Sequence, residues 1–107
     1  MFPFTKTYEN ISVQEFRELM DQPDTVVIDV RTKDEFNQFH LEGAEHIDIF
    51  SNNFVNRLRE LDRDKTYLLY CRSGSRSGKA CKVMHKLGFE NPLNLKGGLM
   101  AWSRAQR

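Results

Sequence analysis

Two short apolar runs constrain the fold of this chain more than any other feature of its sequence. The first covers residues 25–30 and is rich in β-branched side chains, and the second covers residues 66–70. Neither run alternates between apolar and polar residues, so each predicts a strand that is buried on both faces, as in a parallel sheet. Parallel strands need long crossovers, which are usually helices. The runs therefore predict an α/β fold with a mostly parallel sheet.

The segments around these two strands have the apolar spacing of helices. Capping-box patterns begin the first two helices at Ser12 and Thr32. We expect Phe36 and Phe39 to face inward from the second helix. The predicted order is helix from 13, strand 25–30, helix from 33, strand 44–49, helix 53–61, strand 66–70, helix from 75 to Gly88, strand 92–95 and a terminal helix. This alternation favours a central sheet of about five strands with helices on both faces.

The length and charge of the chain exclude several classes of protein. With 107 residues, residues 1–107 are expected to form one domain. The net charge of +1 does not favour binding to nucleic acid or to a membrane surface. No apolar run approaches the ~20 residues of a spanning helix, and no export signal is visible at the start. We therefore expect a soluble, cytoplasmic protein, and no apolar stripe in the sequence requires more than a monomer.

Cys71 is the candidate nucleophile. It ends the second apolar run and begins a loop, 71–76, that leads directly into a helix. The helix dipole, a glycine turn at Gly74 and the charges of Arg72 and Arg76 would all favour a thiolate. Such a loop could also bind an anionic sulfur compound through Arg72, Ser73, Gly74, Ser75 and Arg76. A cation at Arg76, beside the positive end of a helix, requires a neighbouring anion.

The remaining polar candidates have less support from the sequence. Cys81 lies within the following helix and is expected to pack in the core, although a resolving-thiol role stays open. The two cysteines, ten residues apart, fit neither a zinc site nor a disulfide framework. His46 and His85 have no evident partner and are expected at the surface. Asp29 interrupts an apolar strand and therefore needs a hydrogen-bond or ion-pair partner.

Five segments together resemble a known family. They are Val27-Ile28-Asp29-Val30-Arg31, Glu35-Phe36, His40-Leu41-Glu42-Gly43-Ala44 with Ile47, Leu69 to Ser77, and Gly88-Phe89 with Gly97 to Trp102. In this order and spacing, over about residues 10–103, they resemble a single-domain rhodanese. The resemblance implies a sulfurtransferase in which Cys71 takes sulfane sulfur from thiosulfate or a similar donor, becomes a persulfide and passes sulfur to cyanide or a thiol. It implies that no metal, cofactor or general base is needed.

The resemblance also implies roles for residues near the site. Asp29, Arg31 and His40 match positions that support the fold beside the cysteine. Rhodanese-like phosphatases have an arginine sixth after the cysteine, whereas here the sixth residue is Ser77, so phosphatase activity is disfavoured. The chain departs from the family at Phe39, where glycine is usual, and at Glu42 and Asp48, where proline is frequent. These departures concern access to the site.

Two alternatives stay open at this point. The first is a persulfide carrier or regulatory module that receives sulfur from a protein partner; an exposed apolar patch beside the loop would favour it. The second is an anion-binding or arsenate-reducing site built on the same thiolate.

Overall fold

A computed structural model describes residues 8–106 of the chain. It contains five strands and five helices that alternate along the described part of the sequence. In chain order they are β1 (Glu9–Ile11), α1 (Val13–Met20), β2 (Thr25–Asp29), α2 (Lys33–Gln38), β3 (Glu45–His46), α3 (Phe54–Arg59), β4 (Thr66–Tyr70), α4 (Ser75–Lys86), β5 (Pro92–Leu95) and α5 (Gly98–Ala105). The predicted α/β class and the five-stranded sheet are confirmed.

The sheet has the order β1-β5-β4-β2-β3, and every neighbouring pair is parallel. The two apolar runs, β2 and β4, are adjacent, with Thr25 beside Thr66 and Asp29 beside Tyr70. Because all strands run the same way, their carboxyl ends meet at one edge of the sheet. The loops that follow β2, β4 and β5 are therefore brought together at that edge.

The side chains of β4 alternate between two apolar cores. Tyr67, Leu69 and Cys71 belong to the core beneath α3 and α4. Leu68 and Tyr70 belong to the core on the other face, which α1 and α5 cover. A continuous apolar run thus supplies both cores at once, which explains why β4 does not alternate in polarity.

Several sequence-based expectations about local structure were wrong. Strand β1 was not predicted, and the strand expected over residues 44–49 pairs with β2 only at Glu45 and His46. The side chain of Phe39 does not face inward: it is 56% exposed. Residue 39 ends α2 in an extended conformation, so its side chain leaves the helical face that periodicity assigns to it. Within residues 8–106, no helix has the length and apolar character needed to span a bilayer.

Candidate active site

The sulfur of Cys71 lies within a ring of hydrogen-bond donors just beyond the end of β4. The amide of Gly74 is 3.1 Å from Sγ, and the amide and hydroxyl of Ser77 are each 3.4 Å away. The residue is fully buried. All three donors come from the loop and the first turn of α4, so the backbone that follows the cysteine folds back around its own side chain.

Burial and hydrogen bonding have opposite effects on this thiol. Burial is the largest single influence and would raise the pKa of Cys71 by disfavouring the thiolate. The hydroxyl and amide of Ser77, with the amides of Gly74 and Ser73, donate to the sulfur and together lower that pKa below its usual value. The donors therefore favour the thiolate, which is the nucleophilic form of cysteine.

The backbone at Gly74 is what directs its amide towards the sulfur. Gly74 has φ of +96°, and a Cβ atom there would lie 3.2 Å from the carbonyl oxygen of Leu95. Both the left-handed conformation and the close approach of β5 restrict this position to glycine. The side chain of Asn94 donates to the Gly74 carbonyl at 3.1 Å and to Oδ1 of Asn10 at 2.9 Å. Asn94 thus fixes the same glycine from the side of the sheet.

The first turn of α5 fixes the loop from its other side. The amide of Leu99 donates to the carbonyl of Cys71 at 2.9 Å, and that of Met100 donates to the carbonyl of Arg72 at 3.0 Å. A Cβ at Gly98 would lie 2.5 Å from the Arg72 carbonyl oxygen, so only glycine allows this approach. The amides at this helix start are therefore used to hold the loop carbonyls in place.

Arg76 has a partner within the protein. Its guanidinium forms a bidentate ion pair with Glu35, with N–O distances of 2.7 and 2.9 Å. Glu35 also accepts from the amide and hydroxyl of Thr32 in the capping box of α2. The hydrogen bond from Arg76, with those from Thr32, lowers the pKa of Glu35 to about 2 although burial opposes it. The anion that the sequence required beside Arg76 is this carboxylate.

The other predicted loop residues lie at the surface. Arg72, Ser73 and Ser75 are exposed, and the amide of Ser75 is 3.4 Å from the hydroxyl of Ser73. Arg72 lines a shallow cavity of about 390 Å³ beside α5. Arg72 thus remains available to an anionic ligand, whereas Arg76 is engaged by Glu35.

Asp29 and Arg31 form a buried bidentate ion pair at the edge where β2 ends. The shortest N–O distance is 2.7 Å, and Arg31 also donates to the carbonyl of Phe39 at 2.5 Å. The hydroxyl of Tyr70 donates to Asp29 at 2.7 Å and accepts from the amide of Leu41 at 3.0 Å. Burial, and next the hydrogen bond to Asp29, raise the pKa of Tyr70. The polar residue within an apolar strand is therefore explained by an ion pair.

The histidines differ from one another in their environment. His40 is exposed, but its ring stacks on Phe36 with centroids 3.7 Å apart and its Nδ1 is 2.9 Å from the Phe36 carbonyl. His46 was expected at the surface without a partner. It is half-buried, its ring also stacks on Phe36 with centroids 4.6 Å apart, and its Nε2 lies 2.7 Å from the carbonyl of Arg31. Both rings thus contact α2, and neither contacts Cys71.

Cys81 lies in the core, as its helical position predicted. It is fully buried in the apolar cluster beneath α4, and both cysteines are free thiols. Burial, with a smaller contribution from Cys71, raises the pKa of Cys81 and so disfavours its thiolate. Among residues 8–106, no group of histidine, cysteine, aspartate and glutamate side chains could hold a metal ion.

Two residues of the site were not predicted from the sequence. In the sequence, Ser77 stands out only as the residue at the position of the phosphatase arginine, yet it supplies two of the donors to Sγ. The signal that could have revealed Ser77 is its position: it lies in the first turn of the helix that follows the cysteine loop. Asn94 interrupts an apolar strand as Asp29 does. A buried polar side chain in such a strand needs a hydrogen-bond partner, and this requirement is the signal that could have revealed Asn94.

Comparison with known proteins agrees with this geometry. The family model named rhodanese-like domain matches residues 12–105. A protein named sulfurtransferase from Allochromatium vinosum is 35% identical over 86 residues, which are 80% of this chain and 78% of that protein. A "Probable adenylyltransferase/sulfurtransferase MoeZ" from Mycobacterium tuberculosis is 37% identical over 92 residues, which are 82% of this chain. The chain spans about a quarter of the length of that relative, 24%.

A solved structure has the same architecture. The rhodanese-related protein from Thermoplasma volcanium superposes with a TM-score of 0.79 at 26% identity, covering 92% of this chain and 93% of that one. The match of the family model to most of the chain, the sulfurtransferase-named relative and this common fold agree with the cysteine loop described above. The chain belongs to the family of rhodanese-like domains.

Proposed function

We propose that this protein transfers sulfane sulfur from thiosulfate or a similar anionic donor to cyanide or a thiol, through a persulfide on Cys71. Sulfur transfer as the general activity is supported by the family and by relatives named sulfurtransferases. The observation that carries the finer proposal is the set of donors around Sγ, from Gly74 and Ser77. These donors stabilise the Cys71 thiolate before the attack and again when it is regenerated.

The first step is a displacement at sulfur. The Cys71 thiolate attacks the outer sulfur of thiosulfate, a new S–S bond forms, and the S–S bond of thiosulfate breaks. Sulfite leaves with the electron pair, and the negative charge of the persulfide resides on its terminal sulfur. No oxidant is consumed, because the sulfane sulfur is transferred at its own oxidation level. The amides of the loop are suited to bind this anionic sulfur.

The second step regenerates the thiolate. Cyanide or a thiolate attacks the terminal sulfur of the persulfide, a bond to that sulfur forms, and the bond to Sγ breaks. The electron pair returns to Cys71, whose lowered pKa makes its thiolate a good leaving group. Neither step requires a general base, since the nucleophile is already ionised in each.

Phosphatase chemistry has less support than sulfur transfer. The sixth residue after Cys71 is Ser77, and its hydroxyl donates to Sγ. The nearby guanidinium of Arg76 is held by both oxygens of Glu35. A phosphoryl group bound in the loop would find no arginine at the sixth position after the cysteine and no free guanidinium at Arg76. Its equatorial oxygens would therefore be poorly stabilised.

A second candidate function is a persulfide carrier that exchanges sulfur with a protein partner. The observation that favours it is the exposure of two large apolar side chains, Phe39 at 56% and Met100 at 46%. Met100 donates its amide to the loop carbonyl of Arg72, so it lies directly beside the candidate site. Such side chains are typical of docking surfaces when they are clustered.

Mass spectrometry after incubation with thiosulfate tests the main proposal. We expect a gain of one sulfur atom, mapped to the peptide that contains Cys71, and its loss on addition of cyanide with release of thiocyanate. Cys71→Ser should abolish both events, because no nucleophile remains. Cys81→Ser is the matched control and should retain most of the transfer, since Cys81 is buried in the core.

Equal loss of transfer in both variants would contradict the assigned roles, provided that circular dichroism shows both to be folded. Absence of the adduct on a reduced Cys71 would exclude thiosulfate as the donor. It would also favour the carrier function.

A further inference from the structure

One face of the molecule beside the cysteine loop is both apolar and cationic. Two cavities, of about 390 and 450 Å³, lie next to each other along α5 and share Leu99 and Ser103 in their lining. At one end the groove is lined by Arg72 and Arg104, and at the other by Phe39 and Trp102. We call this surface the α5 groove.

The groove is physically continuous with the candidate active site. Leu99, which lines both cavities, donates its amide to the carbonyl of Cys71 at 2.9 Å. Arg72 is the residue that follows the cysteine. A molecule that occupies the groove therefore contacts the backbone turn that holds the sulfur in place.

The charge of the groove has one sign among the described residues. No aspartate or glutamate lines either cavity. No carboxylate within residues 8–106 lies at salt-bridge distance from Arg72 or Arg104. A third cation, Arg17, stacks over the Trp102 ring at 4.7 Å. Unpaired arginines around an apolar floor are complementary to a segment that carries both carboxylates and apolar side chains.

Phe39 is held in a fixed position at the groove. Arg31, itself paired with Asp29, donates to the Phe39 carbonyl at 2.5 Å. The buried ion pair thus fixes the backbone of residue 39 while its ring stays largely in solvent. An aromatic side chain that is exposed on a fixed backbone loses little conformational freedom on binding, which is characteristic of interface anchors.

We infer that the α5 groove docks an acidic segment of a protein partner, with an apolar side chain against Phe39 and Trp102 and carboxylates at Arg72 and Arg104. A cysteine thiolate of that segment would attack the terminal sulfur of the Cys71 persulfide, so that the partner takes the sulfur and the electron pair of the broken S–S bond returns to Cys71. The inference deepens the proposed function by naming the class of partner, and it rests on that function for the sulfur chemistry only. Docking itself can be measured without any transfer.

Trp102 is the only tryptophan of the chain and lines the groove, so its fluorescence reports occupancy directly. The probe is a five-residue peptide in which a central serine is flanked by two leucines and two terminal glutamates; serine replaces cysteine so that no transfer occurs. We expect a saturable fluorescence change with this peptide. A peptide with lysines in place of the glutamates should bind about tenfold more weakly, and the difference should shrink in high salt.

Two variants test the groove itself. Arg104→Glu should remove the preference for the acidic peptide, and Phe39→Ser should weaken binding of both peptides severalfold. Arg59→Glu and Phe50→Ser are the matched controls, because both residues are exposed and neither lines a cavity of the groove. The controls should bind like the unaltered protein.

Sulfur transfer separates the two proposals. With cysteine-containing peptides as acceptors, Phe39→Ser and Arg104→Glu should slow transfer to the peptide and leave transfer to cyanide unchanged. If the unaltered protein does not transfer sulfur to cyanide, the proposed function is contradicted. The docking inference is not, because binding of the serine peptides measures docking separately.

Five outcomes would overturn the docking inference. Four of them are absence of saturable binding, equal binding of the acidic and basic peptides, insensitivity to both groove variants, and a concentration-dependent dimer that buries Trp102. Tight binding of a small anionic thiol alone, without binding of the peptide, would assign the groove to a low-molecular-weight acceptor and would also overturn it.

Discussion

At the scale of single residues, the chemistry of Cys71 depends on a balance at one sulfur atom. Burial disfavours the thiolate, and donors from Ser77, Gly74 and Ser73 outweigh it. The hydroxyl of Ser77 is the largest of the contributions that lower the pKa. The reactivity of the thiol is therefore set more by a serine one turn into α4 than by the arginines of the loop.

Ser77→Ala should raise the pKa of Cys71, because one donor to the thiolate is removed. A hydrogen bond to a charged group is worth ~1.5–3 kcal/mol, so we expect alkylation by iodoacetamide near neutral pH to slow by about tenfold. The measurement is the alkylation rate as a function of pH. Ser75→Ala is the control, because Ser75 is exposed and its hydroxyl does not contact Sγ. An identical pH profile for Ser77→Ala and the unaltered protein would show that the Ser77 hydroxyl does not lower the pKa of Cys71.

At the scale of elements, the site is assembled by contacts between secondary structures that are distant in sequence. Helix α2 holds the start of α4 through the pair of Glu35 and Arg76, and β5 holds Gly74 through Asn94. Helix α5 binds the loop carbonyls from a third direction. The loop is therefore preorganised by three elements, which keeps the amides in place while the charge on sulfur changes.

The Glu35–Arg76 pair should make stability depend on pH in the acid range. The folded pKa of Glu35 is about 2, below the ~4.3 of an unfolded glutamate, so its stabilisation is present above about pH 4.3 and is lost as the pH falls towards 2. Glu35→Gln should therefore lower the free energy of unfolding by about 1 kcal/mol at neutral pH and by little at pH 2.

Urea unfolding at a series of pH values measures this difference. Glu15→Gln is the matched control, because Glu15 is an exposed first-turn glutamate of α1 without an ion-pair partner among the described residues. A constant difference between the Glu35 variant and the unaltered protein at all pH values would contradict the linkage.

At the scale of the whole molecule, two apolar cores are joined at their edge by a buried polar network. The hydroxyl of Tyr70 connects Asp29 of β2 with the backbone of Leu41, and the Asp29–Arg31 pair extends the network to residue 39. The network thus links the central strands to the segment that carries Phe39, which lines the α5 groove. Each member has its partners, which is what makes buried charge tolerable.

Tyr70→Phe should destabilise the fold without removing the nucleophile. It leaves the amide of Leu41 without its bond to Tyr70 and deprives Asp29 of one donor, and a buried group left unsatisfied costs about 1–3 kcal/mol. The free energy of unfolding measured in urea should fall by that amount. Tyr67→Phe, which removes one bond to the carbonyl of Asp62, should cost less. A smaller loss for Tyr70→Phe than for Tyr67→Phe would contradict the importance of the network.

Local sequence patterns determined the elements that carry most of the fold. The apolar runs predicted β2 and β4, the capping boxes predicted the starts of α1 and α2, and the cysteine before a helix start predicted the loop of the site. These features depend on neighbours within a few residues, so they can be recognised without knowing the rest of the structure. The edge strand β1 lacked such a pattern, since only Ile11 of its three residues is buried.

Only the tertiary structure decided which charged and polar groups meet. Arg76 is one of the residues that the sequence predicts to bind substrate, and its pairing with Glu35, 41 positions earlier, became visible only when α2 and α4 were brought together. Likewise, Asn94 contacts Gly74 because β5 lies beside β4, and Phe39 is exposed because residue 39 is extended where α2 ends, with its carbonyl bound by Arg31. Periodicity reports the preferences of the chain over a few turns. Contacts between distant segments depend on the order of strands in the sheet, which local preference does not encode.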